Sequence, residues 1–323
     1  MHVPILLDKC MEHMGFNGTQ SFPSLKPILV VDCTLGAGGH SAALLRRVLE
    51  RQDGSKLLCL DQDSIELSKA EERLRSTLLA GVLSQQSTLR SANINFAQLE
   101  PFMADNGLLG RASALLCDLG LSSMQIDEPA RGFSFKFEGP LDMRMDPARN
   151  NVTALSLLQS LDPRRLELLL TENADEPYAR QIAAELLGPG AAALPETTTG
   201  LSARIRHCVL HSCSLPKAEI TKSLLDGTVK RTMQALRIEV NREFASLDTL
   251  LEALPNILAP GGRAVFLTFH SGEDRRVKKS FKALCKAGVY EAWSRDVERA
   301  DALERRSNPR SSCCKLRWCI KKK

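Results

Sequence analysis

The apolar run Ile28-Leu-Val-Val31 feeds directly into Asp32-Cys-Thr-Leu-Gly36-Ala-Gly38-Gly39-His40, and Ser41-Ala-Ala-Leu-Leu-Arg-Arg leaves it with helical character. Strand, glycine turn and helix in that order open a parallel α/β sheet. Glycine has no Cβ and takes positive φ, so such a turn brings backbone N–H groups against a ligand. A nucleotide-like molecule is the natural occupant. A dinucleotide fingerprint reads G-x-G-x-x-G, and counted from Gly36 its third glycine is replaced by Ser41, which weakens a pyrophosphate reading. Asp32 also suits a cation or a hydroxyl donor better than a pyrophosphate. About twenty residues further on, where sites of this architecture hold a ribose diol, Leu57-Leu-Cys-Leu60-Asp61 reads as a second short strand ending in a carboxylate. Together these features favour S-adenosylmethionine over a nicotinamide dinucleotide.

The pattern recurs in Ala112-Ser-Ala-Leu-Leu-Cys117-Asp118, a third apolar run closed by a carboxylate. In an open parallel sheet the carboxyl ends of the strands form the ligand crevice, so Asp32, Asp61 and Asp118 are expected on one edge. The turn Leu258-Ala-Pro-Gly261-Gly-Arg precedes another strand, Ala264-Val-Phe-Leu-Thr-Phe269, which runs into His270-Ser271, and a last strand covers Lys315-Leu-Arg-Trp-Cys-Ile320. Between Asp118 and this later group, helical spacing is legible at 154–161, 163–171, 178–187 and 201–209, with a loop at Gly188-Pro-Gly190. The predicted fold is α/β: a parallel-sheet domain in two parts, residues 1–127 and 229–323, with a helical domain, 128–228, inserted.

With 323 residues, 43% of them hydrophobic, the chain can bury a substantial core. Its formal net charge of +5 permits acidic partners without demanding them. No run approaches the roughly eighteen apolar residues a membrane span requires, and no secretory signal is visible. Without such a signal the ten cysteines read as reduced thiols, and Cys33, Cys59 and Cys117 as core residues. Two clusters, His207-Cys208-x-x-His211-x-Cys213 and Cys313-Cys314 with Cys319, lack paired C-x-x-C spacing, so no metal is expected. The stretch from Asp127 to Asp146 is different again: three phenylalanines, two glycines, two arginines and several carboxylates follow neither the helical nor the strand period. Loops so rich in chemistry line sites; the alternative is a junction packed by Phe133 and Phe135.

The blocks His2-Val-Pro-Ile-Leu-Leu-Asp8, Asp32-x-Thr-Leu-Gly-Ala-Gly-Gly-His-Ser41, Asp118-Leu-Gly-Leu-Ser-Ser123-x-Gln125-x-Asp127, Arg131-Gly-Phe-Ser-Phe135 with Gly139-Pro-Leu-Asp-Met-Arg-Met-Asp146, Gln234-Ala-Leu-Arg-Ile238-x-Val-Asn241, Ala259-Pro-Gly-Gly-Arg263 with Phe269-His-Ser271-x-Glu-Asp-Arg275, and Asn308-Pro-Arg310 run through nearly the whole chain. In these blocks, and in their order, the chain resembles the 16S ribosomal RNA cytosine N4-methyltransferase family. The resemblance implies a Rossmann-like class I methyltransferase domain with an inserted helical substrate domain. It implies S-adenosylmethionine contacts from Gly38, Gly39, His40, Asp61, Phe96, Asp118 and Gln125, and as substrate a cytidine in the decoding region of small-subunit ribosomal RNA. It departs from the family's usual pattern at Gly272, where a leucine is common, at Asp226-Gly-Thr, and at Ser311-Ser-Cys-Cys-Lys315.

The exocyclic amine of cytosine is a poor nucleophile because its lone pair is delocalised into the ring. A site must accept hydrogen bonds from it as it attacks a methyl group in line. Asp118 and neighbouring carbonyls are the expected acceptors, with Ser122, Ser123 and His270 positioning the base. Candidates for substrate contact are Arg131, Phe133, Asp142, Arg144, Arg237, Asn241, Ser271, Arg275 and Arg310; Arg231 and the terminal Lys321 to Lys323 add further cations for phosphates. The partner expected is small-subunit RNA or an assembling 30S-type subunit, in a bacterial cytoplasm or, alternatively, an organelle; a homodimer is permitted. The competing readings are a noncatalytic ribosome-assembly factor retaining the fold and a methyltransferase acting on a small molecule or protein.

Overall fold

In a computed structural model the chain is described over residues 4–17, 22, 27–79, 88–213 and 216–323. His2 and Val3 of the first sequence block lie outside these. The chain divides into two units, Met1–Leu121 with Phe244–Lys323, and Ser122–Glu243. The first unit opens with α1 (Leu7–His13) and continues through β1 (Leu29–Asp32), α2 (Gly39–Arg51), β2 (Lys56–Leu60), α3 (Ser64–Leu79), β3 (Leu89–Ala92), α4 (Leu99–Asp105) and β4 (Ala112–Asp118). The second unit holds α5 (Ser123–Asp127), α6 (Ala154–Ser160), α7 (Pro163–Ala174), α8 (Ala179–Leu187), α9 (Thr198–His211) and α10 (Lys222–Val240). The chain then returns through α11 (Glu243–Ile257) to β5 (Leu258–Thr268), α12 (Ser271–Lys286), β6 (Tyr290–Trp293), α13 (Ala302–Ser307) and β7 (Lys315–Lys321). The sequence boundary at 228 falls inside the continuous helix α10, and this division falls after Glu243.

The first unit is built on a seven-stranded sheet in the order β3-β2-β1-β4-β5-β7-β6. The strands from β3 to β5 are parallel, and β7 runs antiparallel to both β5 and β6. The chain winds outward from β1 through β2 to β3, then crosses back to β4 on the other side of β1. Strand order therefore reverses between β1 and β4, and the crevice at their carboxyl ends is where such sheets bind ligands. Both faces of the sheet are covered: Val30, Leu57 and Cys59 pack to one side with Leu44 and Leu45, while Val31, Leu58 and Leu60 pack to the other with Leu99 and Leu250. Burial on both faces explains why these strands read as continuous apolar runs. The strands β3 and β6, which sequence reading missed, are the two edges of the sheet. Their sequences, Leu-Arg-Ser-Ala and Tyr-Glu-Ala-Trp, carry polar residues because an edge is only partly covered.

The second unit is helical, as its spacing predicted. Asp162, Thr197 and Thr221 cap α7, α9 and α10 through side-chain oxygens that accept first-turn N–H groups. Leu166, Leu170, Ile182, Leu201, Ile205, Val229 and Leu236 are fully buried within it.

Candidate functional site

Asp32 ends β1 and is 1% exposed. Its Oδ2 accepts from Ser41 Oγ at 2.6 Å and its Oδ1 from the Thr34 N–H at 3.1 Å. Burial raises its pKa from the ordinary carboxylate value, with the Ser41 and Thr34 bonds opposing. Asp32 therefore pins the glycine turn to the first turn of α2 instead of facing a ligand, which corrects the expectation that all three strand-end carboxylates serve the crevice. Gly38 closes the turn at φ 80 and caps α2, a conformation costly for any residue with a Cβ. Gly39 has a different reason: a Cβ there would lie 2.8 Å from Pro4 Cγ.

Asp61 follows β2. Its Oδ2 accepts from the Gly36 N–H at 2.7 Å, and its Oδ1 from the Asp63 N–H at 2.9 Å. One carboxylate thus ties the glycine turn to the start of α3, with a lone pair left on each oxygen. Burial pushes its pKa up to about 7. The loop after β3 clasps the same corner, Asn93 Nδ2 donating to the Asp61 carbonyl at 2.9 Å and Asn95 Nδ2 to Gln62 Oε1 at 2.7 Å. Asn95 also caps the short turn that carries the half-buried Phe96. Sequence reading named Asp61 and Phe96 but missed the two asparagines that bring them together; the Asn-x-Asn spacing after a strand was the available signal.

Asp118 ends β4, and its backbone N–H donates to Thr34 Oγ1 at 2.7 Å, another link that sequence reading missed. His40, 8% exposed, lies with Nε2 2.9 Å from the Ile5 carbonyl and Nδ1 3.5 Å from Asp118 Oδ2. A carbonyl only accepts, so Nε2 carries a proton. A neutral His40 then turns a lone pair toward the carboxylate, and two acceptors face each other unless the pair holds a further proton. Asp118 Oδ1 is buried and takes no hydrogen bond from any described residue. Burial pushes the Asp118 pKa up to about 6, against the pull of His40. A buried acceptor without a donor among the described residues, at the switch point of the sheet, fits a ligand group that donates.

His270 caps α12 with its Nε2 3.0 Å from Glu273 Oε1 and its ring 5.6 Å from that of Phe244. Ser271 and Arg275 are exposed on α12, and Arg310 is exposed in the short helical turn after α13. At Gly272 a Cβ would lie 2.5 Å from Phe244 Cζ, so the Phe244 ring leaves no room for a side chain there. Arg276 in turn lies 3.6 Å over that ring.

The second unit holds the remaining expected residues, and many of them serve its own structure. Ser122 Oγ accepts from the Gln125 N–H at 3.2 Å while Gln125 Oε1 accepts from the Ser122 N–H at 3.0 Å, a capping box that opens α5 beside Ser123. Arg144 holds both oxygens of Asp142, at 2.8 and 2.6 Å, and donates to the Asn150 carbonyl. Burial works against the Asp142 charge, yet the Arg144 bonds keep its pKa lowered. Arg131 donates to the Arg144 and Met145 carbonyls and lies 5.7 Å over the buried Phe133 ring. Asn241 accepts from the Met145 N–H at 2.7 Å and donates to the Met143 and Arg237 carbonyls, while Arg237 grips Glu243 and Arg231 grips Glu176. Gly132 and Gly139 sit where the loop crosses itself, a Cβ at either falling about 2 Å from a carbonyl oxygen. In this group, expected to contact substrate, the charges of Arg131, Asp142, Arg144 and Arg237, the amide of Asn241 and the ring of Phe133 brace the second unit internally.

A doubly wound sheet with a glycine turn after β1, a carboxylate at the end of the strand on one side of it and an unsatisfied acceptor at the end of the strand on the other places this chain among the Rossmann-like enzymes that use a nucleotide-like cofactor. Comparison with known proteins narrows this class. The model of the MraW methylase family matches residues 1–322, and the chain belongs to that family. It is 41% identical over 322 residues to ribosomal RNA small subunit methyltransferase H 1 of Lachnoclostridium phytofermentans, covering 99% of this chain and 81% of that one. It is 36% identical to ribosomal RNA small subunit methyltransferase H of Prochlorococcus marinus strain NATL1A, covering 99% and 98%. The chain is a methyltransferase.

Proposed function

We propose that this enzyme methylates the exocyclic N4 amine of a cytidine in the decoding region of small-subunit ribosomal RNA, acting in a bacterial cytoplasm on the RNA or on an assembling subunit. Among the described residues no helix is long and apolar enough to cross a membrane. S-adenosylmethionine supplies an electrophilic methyl group on a sulfonium. The residues present fit that donor: Asp61 keeps lone pairs for ribose hydroxyls, Phe96 offers a ring for adenine, the first-turn N–H groups of α2 suit a carboxylate, and Asp61 and Asp118 suit a cation.

The buried Asp118 Oδ1 carries the reading. It is an acceptor with no donor among the described residues, which is what an amine losing a proton requires. By accepting from the N4–H it localises the nitrogen lone pair for attack, and the proton displaced on methylation passes to the Asp118–His40 pair, where Nδ1 lies ready to share it. His40 is kept in place by the Ile5 carbonyl, so its contribution is orientation as well as charge. Cys117, next to Asp118, is fully buried in the sheet core and is not placed to attack ring carbon 5.

The test is to incubate the protein with isotope-labelled S-adenosylmethionine and unmethylated small-subunit particles or their RNA, digest, and identify the labelled nucleoside. N4-methylcytidine is expected. A different methylated nucleoside overturns the substrate assignment, and absence of label despite cofactor binding returns the assembly-factor reading.

A further inference from the structure

Helix α12 leaves the carboxyl end of β5, whose Leu267 pairs in register with Asp118, so its first turn stands at the edge that carries the site. Its acids are turned inward. Glu273, 3% exposed, accepts from the Phe269 N–H at 2.7 Å. Asp274 is held by Arg317 at 2.6 Å and Lys315 at 3.3 Å. Arg276 is drawn down onto Phe244 and toward Asp248 at 3.2 Å. What remains on the outside is cationic: Arg275, Lys278, Lys279, Lys282 and Lys286 are all exposed. None of the four lysines makes a hydrogen bond or ion pair with a described residue.

At helical spacing these five residues fall within an arc of about 100° and run about 16 Å along the axis. An ordinary solvated face would mix signs and place acids four residues from bases. Here Arg275 and Lys279, Lys278 and Lys282, and Lys282 and Lys286 are like-charged pairs at that spacing, which is locally unfavourable. The concentration stands out in a chain whose whole formal excess is only +5. The ligand that relieves this repulsion is a polyanion. The apolar side of the helix, with Val277 and Phe281 fully buried, is closed in the core and offers nothing to a lipid surface.

We propose that the outer face of α12 is the track on which the RNA phosphate backbone lies while the target base occupies the site. This rests on the RNA methyltransferase reading above and locates where that substrate is held. About 16 Å of helix spans roughly four or five phosphates at the 3.4 Å axial spacing of one duplex strand. The lysines act on capture and register, and the chemistry at Asp118 is left to other residues.

The test compares wild type with a variant carrying Lys278→Gln, Lys279→Gln, Lys282→Gln and Lys286→Gln, and with a control carrying Arg46→Gln and Arg47→Gln, two exposed cations of α2. Methyl transfer is measured against RNA concentration at several salt concentrations, and cofactor affinity by calorimetry. The quadruple variant is expected to raise KM for RNA by roughly tenfold or more and to flatten the dependence of log KM on log salt by about 3. Its kcat at saturating RNA and its cofactor Kd stay at the wild-type values, and the control stays within about twofold throughout. A quadruple variant with wild-type KM and salt slope, or a control affected equally, overturns the track while leaving the enzyme's reading intact. A wild type that labels no RNA overturns the reading beneath it.

Discussion

Two regions of this molecule are equally rich in chemically capable residues, and they use them in opposite ways. In the loop from Asp127 to Asp146, the Arg144 guanidinium and the Asp142 carboxylate hold each other, Arg131 donates to loop carbonyls, and Asn241 clamps the Met143 carbonyl and the Met145 N–H. At the carboxyl edge of the sheet, Asp61 keeps lone pairs after binding two backbone N–H groups, and Asp118 keeps a buried oxygen with no donor among the described residues. Residue type alone does not separate a site from a brace. Remaining hydrogen-bonding capacity at the carboxyl edge of the sheet, where such folds bind ligands, does.

Asp118→Asn sharpens this contrast most. It removes the charge and the proton-accepting oxygen at the site, and turnover is expected to fall by about 100-fold or more, read by initial rates at saturating RNA and cofactor. Next is Asn241→Ala in the second unit, which strips partners from the Met143 carbonyl and the Met145 N–H. It should lower unfolding free energy by about 2–3 kcal/mol in denaturant titration, while kcat per folded molecule stays near wild type. A comparable fall in kcat without loss of stability would break the distinction between the regions.

Within the first unit, Gly272→Leu drives a side chain into Phe244 and is expected to cost about 1–3 kcal/mol. Phe244→Ala alone opens a cavity, yet the double variant should be more stable than the sum of the two changes predicts by about 1 kcal/mol or more, a coupling that thermal denaturation of the four proteins measures. Simple additivity would mean that glycine and ring are not a matched pair.

The smallest effect is on pH. The folded pKa values of Asp61 and Asp118 are raised to about 7 and about 6 by burial, against about 3.9 for an unfolded aspartate. Between those values the unfolded chain has released its protons and the folded chain has not, so these groups make the ligand-free protein less stable as pH rises from about 4 to about 7. A ligand that donates to them, or is itself cationic, favours the ionised forms. Cofactor affinity is therefore expected to tighten several-fold from pH 6 to pH 8 and level off above, in calorimetric titrations. A flat profile, or weakening over that range, would contradict the desolvated carboxylates.

Much of the sheet was legible because strands buried on two faces leave continuous apolar runs, and the runs ending at Asp32, Asp61 and Asp118 mark three of its carboxyl ends. The edges β3 and β6 were not, since partial burial leaves a mixed pattern in four residues. The glycine turn and Asp61 were found from local spacing, whereas the pairing of His40 with Asp118 joins residues whose approach depends on β1 and β4 lying side by side. The internal bracing of Arg144 and Asn241 was invisible for a related reason. A motif shows that an arginine is present but not whether a carboxylate already holds it. The lysines of α12 were readable by helical spacing and carried no recognisable motif.

The most direct test is a thermal melt of wild type and Asp118→Asn, each with and without S-adenosylmethionine. An amide in place of this carboxylate can donate to His40 Nδ1 and removes a partly buried charge, so the variant without cofactor is predicted to melt at or above the wild-type temperature, with its cofactor-induced rise reduced or lost. A variant that melts well below wild type and keeps the full rise would show that Asp118 braces the fold instead of serving the ligand.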